Sequence, residues 1–187
     1  MNRFHRWYCR SDAWKKTLDQ ELLPWALKGV DLGQDVLEVG PGPGLTTDAL
    51  RVRFGSLTSI EIDRRLAESL GRRLQGTNVG VLNGDATSMP FQRGIFSGAV
   101  TFTMLHHVPS AALQDRLIRE VFRVLKSGGV FVGTDSVWSR RFQVMHLFDT
   151  MVVVDPMTFG ARLEGAGFTD VSIRNVSRAF SFRARKN

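Results

Sequence analysis

The chain alternates between two kinds of segment. Some are short runs of mostly apolar residues, and others are longer segments in which apolar residues recur every three or four positions. Val36–Val39 and Phe96–Phe102 are runs of the kind found in strands that are buried on both faces. Leu66, Leu70 and Leu74, in contrast, recur at the spacing of one helix face. The two kinds of segment follow one another in turn, which predicts a doubly wound α/β fold around a mostly parallel sheet.

The predicted elements cover most of the chain. The predicted strands are 36–39, 57–62, 79–82, 96–102, 130–134, 171–176 and 179–185. The predicted helices are 11–28, 45–54, 64–74, 111–125, 139–150 and 157–166, with a turn at 126–129. Because we find no linker long enough to separate domains, we expect a single domain over residues 1–187. Within it, residues 1–33 form an N-terminal helical cap and residues 34–187 form the core. The aromatic and basic segment Phe4–Tyr8 and Trp14 are interpreted as parts of a lid, and the alternative is a helix and its lead-in that pack against the sheet.

A glycine-rich loop follows the first predicted strand. Gly40, Gly42 and Gly44 stand between a strand and a helix, where glycine permits a sharp turn and the close approach of a ligand to the backbone. The dinucleotide-binding fingerprint would place its third glycine at position 45, which is leucine, so a nicotinamide cofactor is disfavoured. Glu38 precedes the loop, and its charge would repel a pyrophosphate but attract a ligand with an amine or cationic end.

Two further carboxylates follow the next two predicted strands. Glu61 ends the second strand, where a carboxylate can accept hydrogen bonds from the hydroxyls of a ribose. Asp85 follows the third strand and can accept a hydrogen bond from an adenine amine, while the amide of Ala86 donates to a ring nitrogen. The alternatives are a solvated strand end for Glu61 and an Asx turn for Asp85. Together these positions favour a nucleoside ligand that carries an amino acid.

These motifs resemble those of the class I S-adenosylmethionine-dependent methyltransferases over about residues 36–173. The matching segments are VLEVGPGPG, IEID, GDATSMPF, LHHVP, EVFRVLKSGGVFV and LEGAGFTDV. The resemblance implies a Rossmann-like, seven-stranded sheet with an antiparallel last strand, S-adenosylmethionine as cofactor, and methyl transfer to a small-molecule acceptor. It also implies a set of cofactor-binding residues: Glu38, Gly40, Gly42, Gly44, Glu61, Ile62, Asp85, Ala86 and Thr101.

Two segments depart from the patterns of related families. Ser97 follows Phe96, where the family usually has an aspartate. The first half also resembles the ribosomal RNA adenine dimethyltransferases, but the sequence TFTMLHHVP stands where those enzymes carry an N-L-P-Y type motif. A small-molecule methyltransferase is therefore preferred. An RNA-modifying methyltransferase and a cofactor-binding module without transfer activity are the alternatives.

Few side chains are candidates for acid–base catalysis. Methyl transfer from a sulfonium is an in-line displacement that depends mostly on positioning, and a base helps where the acceptor carries a proton. His106 and His107 follow the fourth strand, and His107 is the candidate base, against the alternative that a histidine here bonds to the backbone. His146 is predicted to lie at the surface or in a groove. We predict no metal site, and Cys9, as the only cysteine, excludes a multi-cysteine one.

Composition and charge change this picture little. Of 187 residues, 43% are hydrophobic and 23% are charged, as in ordinary globular proteins. No apolar run approaches the ~20 residues of a membrane helix, and no signal peptide is visible, which predicts no stable membrane insertion and a cytoplasmic location. The net charge of +7 is carried mostly by residues 136–187. It leaves nucleic acid as a disfavoured alternative to the small-molecule acceptor. The sequence does not predict the oligomeric state.

Overall fold

The computed structural model of the chain describes residues 11–147 and 149–187, which form one seven-stranded sheet with flanking helices. The strands are β1 (Asp35–Val39), β2 (Ser56–Glu61), β3 (Val79–Asn83), β4 (Phe96–Phe102), β5 (Leu125–Ser136), β6 (Thr169–Asn175) and β7 (Ala179–Arg185). The helices are α1 (Asp12–Thr17), α2 (Leu23–Leu27), α3 (Leu45–Leu50), α4 (Arg64–Arg73), α5 (Ala111–Val124), α6 (Arg140–Met145) and α7 (Pro156–Gly165). A π-helical turn, Leu18–Leu22, joins α1 to α2, and a 3-10 turn, Leu105–His107, follows β4.

The strand order is β3-β2-β1-β4-β5-β7-β6. β1 to β5 pair in parallel, whereas β7 runs antiparallel to both of its neighbours, β5 and β6. The predicted Rossmann-like fold with an antiparallel last strand is confirmed. The chain changes direction across the sheet between β1 and β4, and such a switch point leaves a crevice at the carboxyl ends of the strands.

The core is divided by the sheet into two clusters of buried apolar side chains. Neighbouring residues of β4 point into different clusters, Ala99 into one and Val100 into the other, because successive side chains of a strand face opposite sides. Phe131, Phe159 and other aromatic residues fill the first cluster, and Leu23 and other aliphatic residues fill the second. Both faces of the sheet are therefore covered, which explains the largely apolar strand sequences.

The N-terminal helical segment accommodates a proline in its interior. Pro24 lacks an amide hydrogen, and its ring would clash with the carbonyl four residues earlier in a regular α-helix. The turn before it widens to a π-helical geometry, in which the amide of Leu23 donates to the carbonyl of Leu18. The predicted helix over 11–28 therefore forms, with a local bulge instead of a break. Residues 1–10, including Phe4–Tyr8 of the predicted lid, lie outside the described residues.

Three predicted boundaries differ from the structure. The helix predicted over 45–54 ends at Leu50, and the helix predicted over 139–150 is α6, which ends at Met145. The turn predicted at 126–129 is an irregularity inside β5, because the register with β4 moves from Phe96 opposite Leu125 to Gly98 opposite Val130. Within the described ranges, no helix is both long enough and apolar enough to span a membrane.

Candidate cofactor-binding site

A cavity of about 360 Å³ opens at the carboxyl ends of β1, β2 and β4, at the switch point of the sheet. Seven of the residues singled out from the sequence line it: Gly40, Gly42, Glu61, Ile62, Asp85, Ala86 and His107. The other three, Glu38, Gly44 and Thr101, are not among the lining residues. The structure thus brings most of the predicted site together around one cavity and places the remaining residues behind its wall or beside it.

The glycine loop is held in a conformation that its glycines permit. Gly40 and Gly42 have φ angles of 70° and 56°, in the left-handed region that L side chains rarely adopt. The amide of Gly40 donates to the carbonyl of Ile60 at 3.0 Å, which ties the loop to the end of β2. A Cβ atom on Gly40 would lie 2.2 Å from Cγ of Met104, so a side chain at this position meets the segment that follows β4.

Glu61 connects the end of β2 to this loop. Its Oε2 accepts a hydrogen bond from the amide of Gly42 at 3.0 Å, and its Oε1 accepts one from the amide of Asp63 at 2.9 Å. The side chain is buried apart from its contact with the cavity, and this burial raises the pKa of its carboxyl above the ordinary value. Two backbone amides therefore orient the carboxylate at the cavity wall.

Glu38 lies beneath the loop. Its carboxylate accepts hydrogen bonds from three hydroxyl groups, those of Thr46, Thr47 and Ser59. Burial raises the pKa of Glu38, partly offset by these hydrogen bonds. Of these three residues, Thr46 also lines the cavity. The side chain of Thr46 therefore lies between Glu38 and the cavity that Glu38 was expected to contact.

Asp85 and Ala86 lie on the wall next to β3. Oδ1 of Asp85 accepts a hydrogen bond from the amide of Thr87 at 2.8 Å, which is the Asx turn considered as the alternative role. The Asx turn occupies one carboxylate oxygen, and the exposed side chain still lines the cavity. The two roles are therefore compatible.

Thr101 and Gly44 occupy supporting positions. The hydroxyl of Thr101 is fully buried in β4 and donates to the carbonyl of Val39 at 3.2 Å, across the switch point. Gly44 is the N-cap of α3 with a φ angle of 90°, and its carbonyl accepts a hydrogen bond from Arg73. These two residues fix the strand ends and the start of α3 behind the wall.

The charge of the cavity wall is acidic. Four carboxylate side chains line it, Glu61, Asp63, Asp85 and Asp149, and no lysine or arginine does so within the part of the chain that the structure describes. The net positive charge of the protein therefore lies elsewhere. Arg174 and Arg183, for example, donate to carbonyl groups of the N-terminal segment, at Trp25 and Gly29.

The histidines lie together on one side of the cavity. His107 lines the cavity, whereas His106 is buried and its Nδ1 lies 2.5 Å from Oδ1 of Asp135. His146 is also buried, at 4% exposure, so the prediction that it lies at the surface or in a groove is wrong. Its Nδ1 is 2.8 Å from the carbonyl of Phe142, and burial lowers the pKa of His146.

Several wall residues were not found by sequence reasoning. Thr103, just after β4, has a φ angle of 50°, an uncommon conformation for a threonine, and it lines the cavity. Asp149 and Thr150 reach the wall from a segment without a motif. The sequence does not indicate that a threonine has a positive φ angle. The path of a segment without a motif depends on tertiary packing, which the sequence alone does not reveal. Trp14, which belongs to the predicted N-terminal cap, also lines the wall.

Solved structures share this fold at low sequence identity. A chain from the complex between the Haloferax volcanii Trm112 methyltransferase activator and a putative methyltransferase is 15% identical, with a TM-score of 0.74 over 99% of this chain and 98% of that one. A Thermotoga maritima S-adenosylmethionine-dependent methyltransferase, described as a possible histamine N-methyltransferase, is 18% identical, with a TM-score of 0.71 over 98% of each chain. At these identities the likeness concerns the fold.

Curated relatives match over shorter segments. The probable ribosomal RNA small subunit methyltransferase A of Thermococcus onnurineus is 47% identical over 60 residues, which are 32% of this chain and 22% of the relative. The corresponding protein of Thermococcus gammatolerans is 37% identical over 84 residues, or 38% of this chain and 29% of the relative. The chain thus spans less than a third of the length of these relatives.

The family comparison covers the part of the chain that builds the cavity. Residues 37–133, which run from β1 into β5, match the methyltransferase domain family. This match confirms the predicted enzyme class, and the predicted S-adenosylmethionine cofactor agrees with it. With just over half of its residues matched, the chain belongs to the methyltransferase domain family.

Proposed function

We propose that the chain binds S-adenosylmethionine in the cavity between β1, β2 and β4 and transfers its methyl group to a small-molecule acceptor. The observation that carries this proposal is the position of Glu61, whose carboxylate is buried at the cavity wall and hydrogen-bonded to the amide of Gly42. This arrangement joins a ribose-binding carboxylate to a glycine loop that a ligand can approach closely. The supporting comparison is the family match over residues 37–133.

The proposed contacts with the cofactor follow the order of the strands. Gly40 and Gly42 approach the methionine end through their backbone, Glu61 accepts the ribose hydroxyls, and Asp85 and Ala86 bind the adenine edge. Ile62, which is largely exposed beside Glu61, lies against the face of the adenine. The sulfonium is a cation, so the acidic wall favours its binding.

Glu38 has a different proposed role from the one implied by the resemblance. Three hydroxyl groups already surround its carboxylate, and its side chain is 1% exposed. We assign it the positioning of Thr46 and Thr47, at the start of α3.

The acceptor is proposed to be small and neutral or cationic. The part of the wall contributed by the chain after β4 is mainly apolar and includes Met104, Val108, Pro109, Leu113 and Leu117. An anionic acceptor would meet four carboxylates without a described lysine or arginine at the wall. His107 is the one histidine among the described lining residues, and it is proposed to contact the acceptor and take up its proton.

An RNA-modifying activity is the second candidate. It is favoured by the identity to the probable ribosomal RNA methyltransferases, 47% over 60 residues. It is opposed by the acidic cavity wall, since RNA affinity depends on lysine and arginine contacts with phosphates.

The cytoplasmic location inferred from the sequence stays a prediction.

Calorimetric titration of S-adenosylmethionine and S-adenosylhomocysteine tests the cofactor site. Wild-type protein should bind both, and Glu61→Ala and Asp85→Ala should each weaken binding at least about 10-fold, since each removes a hydrogen bond to a charged group. Glu68→Ala is the matched control, because Glu68 is a carboxylate on α4 that pairs with Arg64 outside the cavity. Absence of binding to folded wild-type protein would overturn the proposal.

Transfer of the methyl group is tested with labelled S-adenosylmethionine. A panel of small amines, phenols and thiols is compared with small-subunit ribosomal RNA as acceptors. Label in a small molecule supports the first candidate, and label in RNA that declines with salt supports the second. Cofactor binding without turnover on any acceptor would indicate the binding module considered in the sequence analysis.

A further inference from the structure

Two adjacent histidines, His106 and His107, and a third from a distant segment, His146, converge beside the cavity. His106 and His107 belong to the 3-10 turn after β4, and His146 follows α6. One ring nitrogen from each lies within 4.8 Å of the other two. The centroid of the His106 ring is 4.2 Å from that of His107 and 5.0 Å from that of His146. Among the described residues, this is the one cluster with the ligand types and spacing of a metal site.

Two of the three rings are oriented by hydrogen bonds at Nδ1. Nδ1 of His106 faces the buried carboxylate of Asp135, and Nδ1 of His146 faces the carbonyl of Phe142. Both oxygens are acceptors, so each Nδ1 carries the hydrogen and each Nε2 is the unprotonated nitrogen. Metal-binding histidines almost always have this outer partner, a carboxylate or a backbone carbonyl, which fixes the tautomer and the ring.

The inward nitrogen of His106 has no protein partner. Its Nε2 is buried and makes no hydrogen bond, although buried polar atoms are nearly always satisfied. Asp135, in contrast, has partners on both carboxylate oxygens, because it also accepts hydrogen bonds from the amides of His106 and Ser136. A cation bound at Nε2 would explain why a buried imidazole is held so firmly with one nitrogen unsatisfied.

We propose that His106, His107 and His146 form a binding site for a divalent transition metal, with Zn²⁺ as the expected ion. Imidazole suits Zn²⁺, and three protein ligands with one open position are typical of its catalytic sites. Ligand nitrogens at about 2.1 Å from the ion would be about 3.4 Å apart. The nitrogens lie within 4.8 Å of one another, so binding of an ion requires the rings of His107 and His146 to turn toward it.

The open position would face the cavity, because His107 lines it. A neutral oxygen, nitrogen or sulfur atom of an acceptor in the cavity would then bind the ion. This step rests on the proposed methyl transfer, whereas the metal site itself does not. In the metal-bound protein His107 acts as a ligand, and the ion takes over the activation of the acceptor that the sequence analysis assigned to this histidine. The site also replaces the expectation that the chain binds no metal.

The test is a titration of tag-free, chelator-stripped protein with Zn²⁺ in competition with a chromophoric chelator. Wild-type protein should bind one ion per chain, and His107→Ala and His146→Ala should each weaken binding by more than about 100-fold, since even outer partners contribute about 10–100-fold. Asp135→Asn should weaken binding within that lower range. His5→Ala is the control, because His5 is the one other histidine in the sequence.

A second measurement does not depend on variants that fold. Co²⁺ bound to the wild-type protein should give the intense visible absorption of a tetrahedral, nitrogen-ligated ion, and Zn²⁺ should displace it. A weak octahedral spectrum would overturn the proposal, as would unchanged affinity in folded His107→Ala and His146→Ala proteins. Binding of S-adenosylhomocysteine is measured on the same samples, so that failure of the metal site is distinguished from failure of the cofactor site.

Discussion

The carboxylate of Glu61 accepts a hydrogen bond from the amide of Gly42 at 3.0 Å, so one side chain joins the proposed ribose contact to the glycine loop. The amide of Asp63 holds the other carboxylate oxygen at 2.9 Å. Both donors are backbone amides, and together they fix the carboxylate in one orientation. A preorganised contact of this kind costs less ordering entropy on binding than a mobile side chain would.

Glu61→Gln should therefore weaken cofactor binding without a large change in side-chain volume. The glutamine amide can accept at one atom only, and its NH₂ group would face a backbone amide donor. The loss of a charge-assisted hydrogen bond, about 1.5–3 kcal/mol, corresponds to a decrease in affinity of roughly 10- to 150-fold. Calorimetry with S-adenosylhomocysteine measures this change. Equal affinity in Glu61→Gln and in Glu68→Gln, the exposed control on α4, would contradict the assignment.

Cofactor affinity should also depend on pH through the same carboxyl. Burial raises the pKa of Glu61, and the ionised form is the one that accepts the ribose hydroxyls and attracts the sulfonium. Affinity should fall as the pH decreases through this raised pKa, and binding near it should release protons. Calorimetry between about pH 5 and about pH 8, around and above the ordinary pKa of glutamate, in buffers of different ionisation enthalpy measures both effects. The pH dependence should be smaller in Glu61→Gln.

The raised pKa values of these carboxyls affect the stability of the protein with the opposite pH dependence to that of cofactor affinity. Burial raises the pKa of both Glu38 and Glu61, so the native state binds their protons more tightly than the unfolded state does. Their contribution to stability is therefore present at low pH and is lost as the pH rises through the native pKa values. Cofactor binding and protein stability consequently favour different protonation states of this site.

Substitutions at two neighbouring glycines should separate backbone strain from steric conflict. Gly40 and Gly42 both have a positive φ, so alanine at either position costs about 1–2 kcal/mol of strain. Only at Gly40 would the new Cβ also lie 2.2 Å from Met104, whereas at Gly42 it would meet no atom within 4 Å. Gly40→Ala should thus lower the thermal unfolding temperature and the cofactor affinity more than Gly42→Ala. The reverse order would contradict this account of the loop.

The fold and part of the site could be predicted because their determinants are local. The helix periodicity of Leu66 and Leu70, the glycine loop and the carboxylates at two strand ends all lie within short segments. In a parallel sheet, strand ends meet at one edge, so local motifs place Glu61 and Asp85 at the same cavity. The mostly parallel sheet with helices on both faces, and the position of these two carboxylates at one cavity, follow from these signals.

The rest of the site depends on contacts between distant segments. Asp135 lies 29 residues from His106, and no pattern in the sequence connects them or brings His146 to them. The burial of His146, predicted at the surface or in a groove, is decided by the packing of α6 and the residue after it against the turn that carries His106 and His107. The hydrogen bonding of Glu38 also depends on a distant segment, because its carboxylate accepts a hydrogen bond from the hydroxyl of Ser59 in another strand.

The C-terminal end of α5 is closed by a residue from the far end of the chain. Nζ of Lys186 donates to the carbonyls of Leu125 at 2.6 Å and Phe122 at 2.7 Å, and the side chain is only 8% exposed. The last carbonyls of a helix have no partners within the helix, and a cation there also interacts favourably with the helix dipole. Lys186 therefore links the end of β7 to α5, although it is the penultimate residue.

Lys186→Met should destabilise the protein by about 1–3 kcal/mol, the cost of leaving buried carbonyl groups without a donor. In thermal unfolding this corresponds to about 2–4 °C for each kcal/mol in a domain of this size. Lys126→Met is the matched control, because Lys126 forms a half-exposed pair with Asp35 at 3.0 Å and such pairs contribute about 0–1 kcal/mol. If both variants unfold at the same temperature, the contacts of Lys186 do not contribute to stability, and the end of the chain would not secure α5. Urea unfolding at neutral pH provides the same comparison as a free energy, and retained cofactor binding in Lys186→Met would show that the effect concerns stability and leaves the cavity intact.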